Sequence, residues 1–323
     1  MAFTLALLVS FAGLASPLAV VIAGILMLLC ALGYSRLNNW QPHAGAPYHW
    51  VGRAVSPTLG YATGILAILA ATVANIGNIT LAGTYLLGVV SPGTSFGNPV
   101  VLLVSAIIMG LVIYLAVRGI RPSIRVQTAI IVFEYTVVIL FVLLALKREV
   151  IDAVAGTTAP SLAAFAPSNS PTGWTGIASA AVICGFLYAG WEAPLTLGEE
   201  SQNAHFNPGR AAMLGVVFLT IWYSFLVIVF QGLASQKEIA AHGTDILGYA
   251  GSLLLPDPWG RLLALAVLSA VFATTQMQLT ESSRVTFAMA RERLLPGGCR
   301  ASIRPSARPG SRPSSWASSR RSP

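Results

Sequence analysis

Long runs free of Asp, Glu, Lys and Arg dominate the chain, and between Arg53 and Arg118 none of the four occurs. A bilayer core about 30 Å thick is crossed by roughly 20 apolar helical residues, so that stretch is too long for one crossing. Ser91, Pro92, Gly93, Gly97, Asn98 and Pro99 cluster as turn formers inside it and divide it into helices over about 57–88 and 99–117. The same reading predicts spans near 17–37, 126–146, 174–197, 212–234 and 259–283, each bounded by charge, Pro or Gly. The runs are apolar on nearly every face instead of alternating, which argues against membrane-barrel strands. Helices also satisfy their own backbone, as lipid demands. The pattern therefore predicts an all-α transmembrane chain of about seven spans. The apolar segment Met1 to Gly13 lacks the positive flank and cleavage signature of a secretory signal, and reads as part of the membrane domain.

Composition agrees with the pattern: 55% of the 323 residues are hydrophobic and only 9% charged, against about 25% charged in soluble domains. The net charge of +8 does not point to nucleic acid. Six arginines lie between Gly297 and Pro323, and subtracting them leaves 8 − 6 = +2. Elsewhere the basic residues segregate by loop. Arg36, Arg53, Arg118, Arg121, Arg125, Arg210, Arg284, Arg291 and Arg293 fall on one side, and Lys147, Arg148, Lys237 and Arg261 on the other. The first side is expected to face the cytoplasm, with the first full helix running inward. Tyr48, Trp50, Trp174 and Trp259 lie near helix ends, where aromatic rings anchor at the headgroups. Cys30, Cys184 and Cys299 are far apart and read as packing residues.

Polar groups within the spans carry the candidate chemistry, because lipid rejects them unless they face protein or water. Glu134 and Glu192 are the two carboxylates expected well inside the membrane. Glu134 suits either ion coupling or a structural hydrogen bond. Glu192 lies in GFLYAGWEAPLTLGEE, where Gly190 loosens the helix and Pro194 removes a backbone donor. A broken helix there would leave backbone groups free to bind ions or zwitterions, with Trp191 and Tyr188 walling the site. The alternative is a simple proline kink near the cytoplasmic surface, since Glu199 and Glu200 follow closely. Thr72, Asn75 and Asn78 form one polar stripe, and Thr274, Gln278 and Glu281 another. Each faces a pathway or hydrogen-bonds to a neighbouring helix. No metal-ligand motif, phosphate-binding loop or nucleophile elbow occurs, and His43, His49, His205 and His242 are expected in loops. An embedded enzyme is thus the weaker class, and no cofactor or metal is expected.

Three segments in order resemble the amino acid–polyamine–organocation transporter superfamily. They are ALGYSRLNNWQPHAGAPYHWVGRAVSPTLGYATG from Ala31, GFLYAGWEAPLTLGEESQNAHFNPGRA from Gly185, and TESSRVTFAMARERLLP from Thr280. Asn207, Pro208 and Arg210 match the family's turn after its acidic pair. The resemblance implies a LeuT-like inverted-repeat fold, here incomplete, from the end of the family's first helix through its eighth. It implies a substrate site between unwound parts of the first and sixth helices, so Gly190, Trp191 and Glu192 inherit the sixth-helix role. The first-helix Gly-rich motif has no counterpart. Many members carry a Lys near Glu134, so the Glu leaves proton against sodium coupling open. Residues 1–296 are expected to form the permease domain and 297–323 an Arg/Ser/Pro tail, disordered or a frameshift product. The function so implied is secondary active transport of amino acids or related amines across the plasma membrane by alternating access. The alternative is a transport-incompetent fragment acting at most as a membrane partner; the oligomeric state stays open.

Overall fold

The computed structural model describes residues 2–91, 97–118, 120–154, 157–242 and 246–295. Most of the turn expected at 91–99, and the tail expected at 297–323, lie outside the described residues. Among those described, seven helices are long and apolar enough to cross a membrane, and the chain is a multi-pass integral membrane protein.

Helix α1 covers Ala2–Ala12 and α2 covers Ser16–Trp40. The apolar run they share is broken at Gly13, whose φ of +57° is a left-handed conformation that glycine adopts without steric cost. Ala2–Ala12 therefore forms a helix of its own, and α1 packs on α7 and on the short helices α10 and α11.

Helix α3 (Pro47–Ala54) is short, and α4 (Pro57–Val90) is the longest helix among the described residues. Ser56 caps α4 by accepting from the Leu59 N–H at 3.2 Å, with Pro57 ideally placed in the first turn. Helices α5 (Asn98–Arg118) and α6 (Ile120–Leu146) follow, and α6 ends in a π turn, Lys147–Ile151.

The span expected at 174–197 is discontinuous. Helix α7 (Gly173–Cys184) passes into a 3₁₀ turn, Gly185–Tyr188, then a non-helical stretch, then the single-turn α8 (Ala193–Thr196). Helix α9 (Asn207–Gly232), the short α10 (Gln236–Ala241) and α11 (Ile246–Leu254), and α12 (Leu262–Arg291) complete the order. Ser235 and Glu238 form a reciprocal capping box on α10.

Two helix pairs, α2 with α9 and α4 with α12, form the framework. Around it, large apolar side chains such as Leu26, Leu66, Ile107, Val182, Phe186 and Leu214 stand exposed. In water this would be a large unsatisfied surface; in lipid it is the expected outer face. Arg36, Arg53, Arg210, Arg291 and Arg293 lie on segments that meet at one end of the bundle, here termed the arginine-rich end. Ala44 of the loop before α3 contacts Glu199 there, and Asn38 of α2 reaches the loop before α9.

Candidate functional site

Gly190 takes φ +98° and Glu192 occupies the N-cap position of α8, followed within its first turn by Pro194. The backbone turns sharply between Tyr188 and Ala193, closed by short bonds from Trp191 N–H to Tyr188 O (3.3 Å) and from Ala193 N–H to Gly190 O (3.2 Å). Glu192 Oε2 is buried without a hydrogen-bond partner. An unpartnered buried carboxylate oxygen costs several kcal/mol unless something positive meets it.

The neighbours of Glu192 come from three other elements. The Trp191 ring lies 5.1 Å from Tyr34 of α2, which lies 5.5 Å from Trp50 of α3, both edge-on. Trp50 is fixed by its Nε1–H donating to the Gln41 carbonyl at 2.8 Å. From α12, Glu281 feels the Glu192 charge, and Tyr34 feels both. The break thus brings Glu192 to an aromatic cluster, and α8 packs on α12, the helix that carries Glu281.

The other expected site residues are distributed differently. Tyr188 is wholly buried, its hydroxyl 3.0 Å from both the Val20 carbonyl and the Thr220 hydroxyl, so it ties the break to α2 and α9. Glu134 is not beside Glu192. It lies on α6 beside Tyr135, whose ring is 5.5 Å from Trp222 of α9, and the Tyr223 ring of α9 lies 6.0 Å from Tyr188.

Asn78 donates to Gln278 Oε1 at 3.2 Å, joining α4 to α12, while buried Asn75 keeps an unpartnered Oδ1. Thr72 and Thr274 are exposed and donate to carbonyls one turn earlier in their own helices. Thr274 is thereby removed from the inward polar stripe; the adjacent Thr275 and Gln276 are the fully buried polar residues of that turn.

A second cluster closes the arginine-rich end. Arg291 of α12 donates to both carboxylate oxygens of Glu199, at 2.8 and 2.9 Å, and Glu199 also accepts from the Ala44 N–H at 2.9 Å. The Arg291 hydrogen bonds bring the Glu199 carboxyl down to about 2. Beside them, Glu292 Oε1 lies 3.1 Å from both His43 Nε2 and His49 Nδ1. His49 is on α3, not in a loop as expected, because Pro47 starts a helix there.

Three ligand-type atoms within 4.8 Å of one another could suggest a metal centre. The imidazoles, however, are stacked at 3.7 Å and 11°. In-plane lone pairs of parallel rings do not converge on one ion, so the geometry is that of a hydrogen-bonded clasp. The Gly45 N–H donates to His43 Nδ1 at 3.0 Å, and His43 Nε2 faces both Glu292 and, at 2.9 Å, Arg291 Nη2. Burial lowers the His43 pKa, with His49 and Arg291 adding to the shift and Glu292 opposing it.

The amino acid permease family model matches residues 2–309. The chain belongs to the amino acid permease family. That is a family of transporters and not of enzymes, and the all-helical bundle agrees with its fold. Curated relatives include the low-affinity putrescine importer PlaP of Escherichia coli (strain K12), 26% identical over 301 residues, covering 90% of this chain and 62% of the importer. The branched-chain amino acid permease BcaP of Bacillus subtilis (strain 168) is 24% identical over 313 residues, covering 88% and 62%. The mouse large neutral amino acids transporter small subunit 2 is 24% identical over 282 residues, covering 85% and 51%. The chain thus spans about three-fifths of the length of these bacterial permeases.

Proposed function

We propose that this permease carries an amino acid or amine across the cell membrane by alternating access, holding the substrate ammonium at the α7–α8 break. The supporting observation is the buried, unpartnered Glu192 Oε2 beside Glu281 and the Trp191–Tyr34 ring pair. An ammonium group would satisfy that oxygen, gain from two nearby carboxylates, and meet aromatic faces suited to cations. The relatives above include an importer of an amine and a permease of branched-chain amino acids, and an ammonium group is common to both.

In this reading Glu134 tunes ion coupling through Tyr223 and Tyr188, and the arginine-rich end faces the cytoplasm. Proteoliposomes loaded with unlabelled putrescine or leucine test the reading by counterflow of the radiolabelled compound. Saturable accumulation of either is expected; no accumulation of any amine or amino acid contradicts transport by this chain.

A further inference from the structure

The arginine-rich end carries a cavity of about 300 Å³ that shares no lining residue with the α7–α8 break. It lies between α3, the start of α4 and the residues just beyond α12. Helices α3 and α4 hold its walls together by packing glycine on glycine, since a Cβ on Gly60 would collide with the Gly52 backbone. Arg53, in the last turn of α3, lines the cavity, is exposed, and makes no hydrogen bond or ion pair with any described residue. Glu292 lines it from the other side; its side chain is 34% exposed, and its Oε1 is the one held 3.1 Å from His43 and His49. The two charges are not paired with each other, so the cavity presents a cation and an anion held apart. Tyr48 and Tyr61 complete its polar and aromatic lining.

Tyr61 also connects the cavity to the lipid-facing surface. From it, Ile65, Leu69 and Ile76 follow along α4 at i+4, i+8 and i+15, the spacing of one helix face. Tyr61, Leu69 and Ile76 are exposed and Ile65 is half-buried. An apolar track on the outside of the bundle therefore runs up to the wall of a cavity that is charged inside. An exposed tyrosine at the start of a membrane-spanning helix is placed where headgroups lie.

We propose that this cavity binds the headgroup of a phospholipid with a primary ammonium, phosphatidylethanolamine, with its phosphate on Arg53, its ammonium on Glu292 and an acyl chain along the Tyr61 face of α4. A guanidinium with no protein partner is the group that best matches phosphate oxygens. A primary ammonium donates to a carboxylate and sits well against tyrosine rings. A headgroup of no net charge balances one arginine and one glutamate, whereas an anionic headgroup would meet Glu292 with nothing to offer it, and quaternary choline has no N–H to donate. Pockets for small molecules run from about 300 to 1,000 Å³, so this cavity has room for a headgroup and not for the acyl chains. Pockets with basic residues between helices near one membrane surface are recurrent headgroup sites. Because Glu292 also meets His43 and His49, a bound lipid would sit directly on the histidine clasp.

The test is native mass spectrometry of the full 323-residue chain, delipidated in detergent and titrated with dioleoyl phosphatidylethanolamine, phosphatidylcholine or phosphatidylglycerol. Saturable binding of one phosphatidylethanolamine is expected, about tenfold tighter than either other lipid, the effect of a hydrogen bond to a charged group. Arg53→Gln, at an exposed position, should weaken phosphatidylethanolamine and phosphatidylcholine alike by about tenfold. Glu292→Gln should instead bring the two lipids to within about twofold of each other. Gel filtration checks that each variant is folded, and the comparison of lipids on the unchanged chain needs no variant. Equal binding of the three lipids, a preference for phosphatidylglycerol, or affinity for phosphatidylethanolamine unchanged in folded Arg53→Gln overturns the proposal. Glycerophosphoethanolamine, the headgroup without chains, binding as tightly as the lipid overturns the choice of a lipid as the source. The readout needs no transport substrate, so its failure and that of the proposed transport function are distinguishable.

Discussion

Arg291, at the last residue of α12, grips both carboxylate oxygens of Glu199, at 2.8 and 2.9 Å, in the turn that follows α8. The pair connects the two elements that carry Glu281 and Glu192, so the carboxylate pair at the break is braced from the arginine-rich end. Planar two-point contact is what a guanidinium provides and an ammonium does not. Arg291→Lys is expected to lower stability by about 0.5–1 kcal/mol, the modest range of a partly exposed pair, and to raise the Glu199 pKa. Thermal unfolding in detergent and carboxylate titration by infrared spectroscopy check both effects.

The neighbouring histidine clasp makes the same contact pH-dependent. The His43 pKa in the folded chain lies below its ordinary 6.5, so the unfolded chain binds the proton first as pH falls. The stabilisation is fully present above pH about 6.5 and is lost progressively down to the lowered pKa. Glu199 acts separately: its contribution is complete above its ordinary 4.5 and is lost between there and about 2. A melting-temperature profile should show a first decline beginning near pH 6.5 that is reduced in His43→Gln, and a second below pH 4.5 that persists. A profile flat from pH 7 to 5 contradicts the clasp.

Tyr188 was expected to wall the substrate site, but its hydroxyl is engaged with Val20 and Thr220. Tyr188→Phe should therefore cost about 1 kcal/mol in stability and leave substrate affinity within about twofold. A larger affinity change at unchanged stability would place Tyr188 on the binding surface.

How much of this was readable in the residues follows from what each residue faces. The spans were legible because lipid demands apolarity on every side, and the break was legible because Gly190 and Pro194 each disrupt a helix locally. Glu281 could be placed on a polar stripe, but its pairing with Glu192 joins elements far apart in sequence, which spacing does not encode. Glu149 was not legible at all. Beside Lys147 and Arg148 it has the look of an ordinary interfacial charge, and only the π turn directs it inward. His49, expected in a loop, sits on α3 because Pro47 in a first turn starts a helix.

If two carboxylates at the break recognise positive charge, the substrate's net charge should matter. Glu281→Gln is expected to weaken binding of a diamine such as putrescine by about tenfold and of a neutral amino acid such as leucine by about threefold or less. Scintillation-proximity binding of each compound checks the ratio, and equal losses for the two contradict a charge role for Glu281.

Substrate binding by Glu192→Gln, measured in detergent beside the unchanged chain, tests the role of the break most directly. Glutamine keeps the size of the side chain and removes its charge, so membrane insertion and the gel-filtration profile should be intact. A loss of affinity for the bound amine or amino acid of about tenfold or more is expected. Affinity within twofold of the original, in a variant that is inserted and folded, would contradict it.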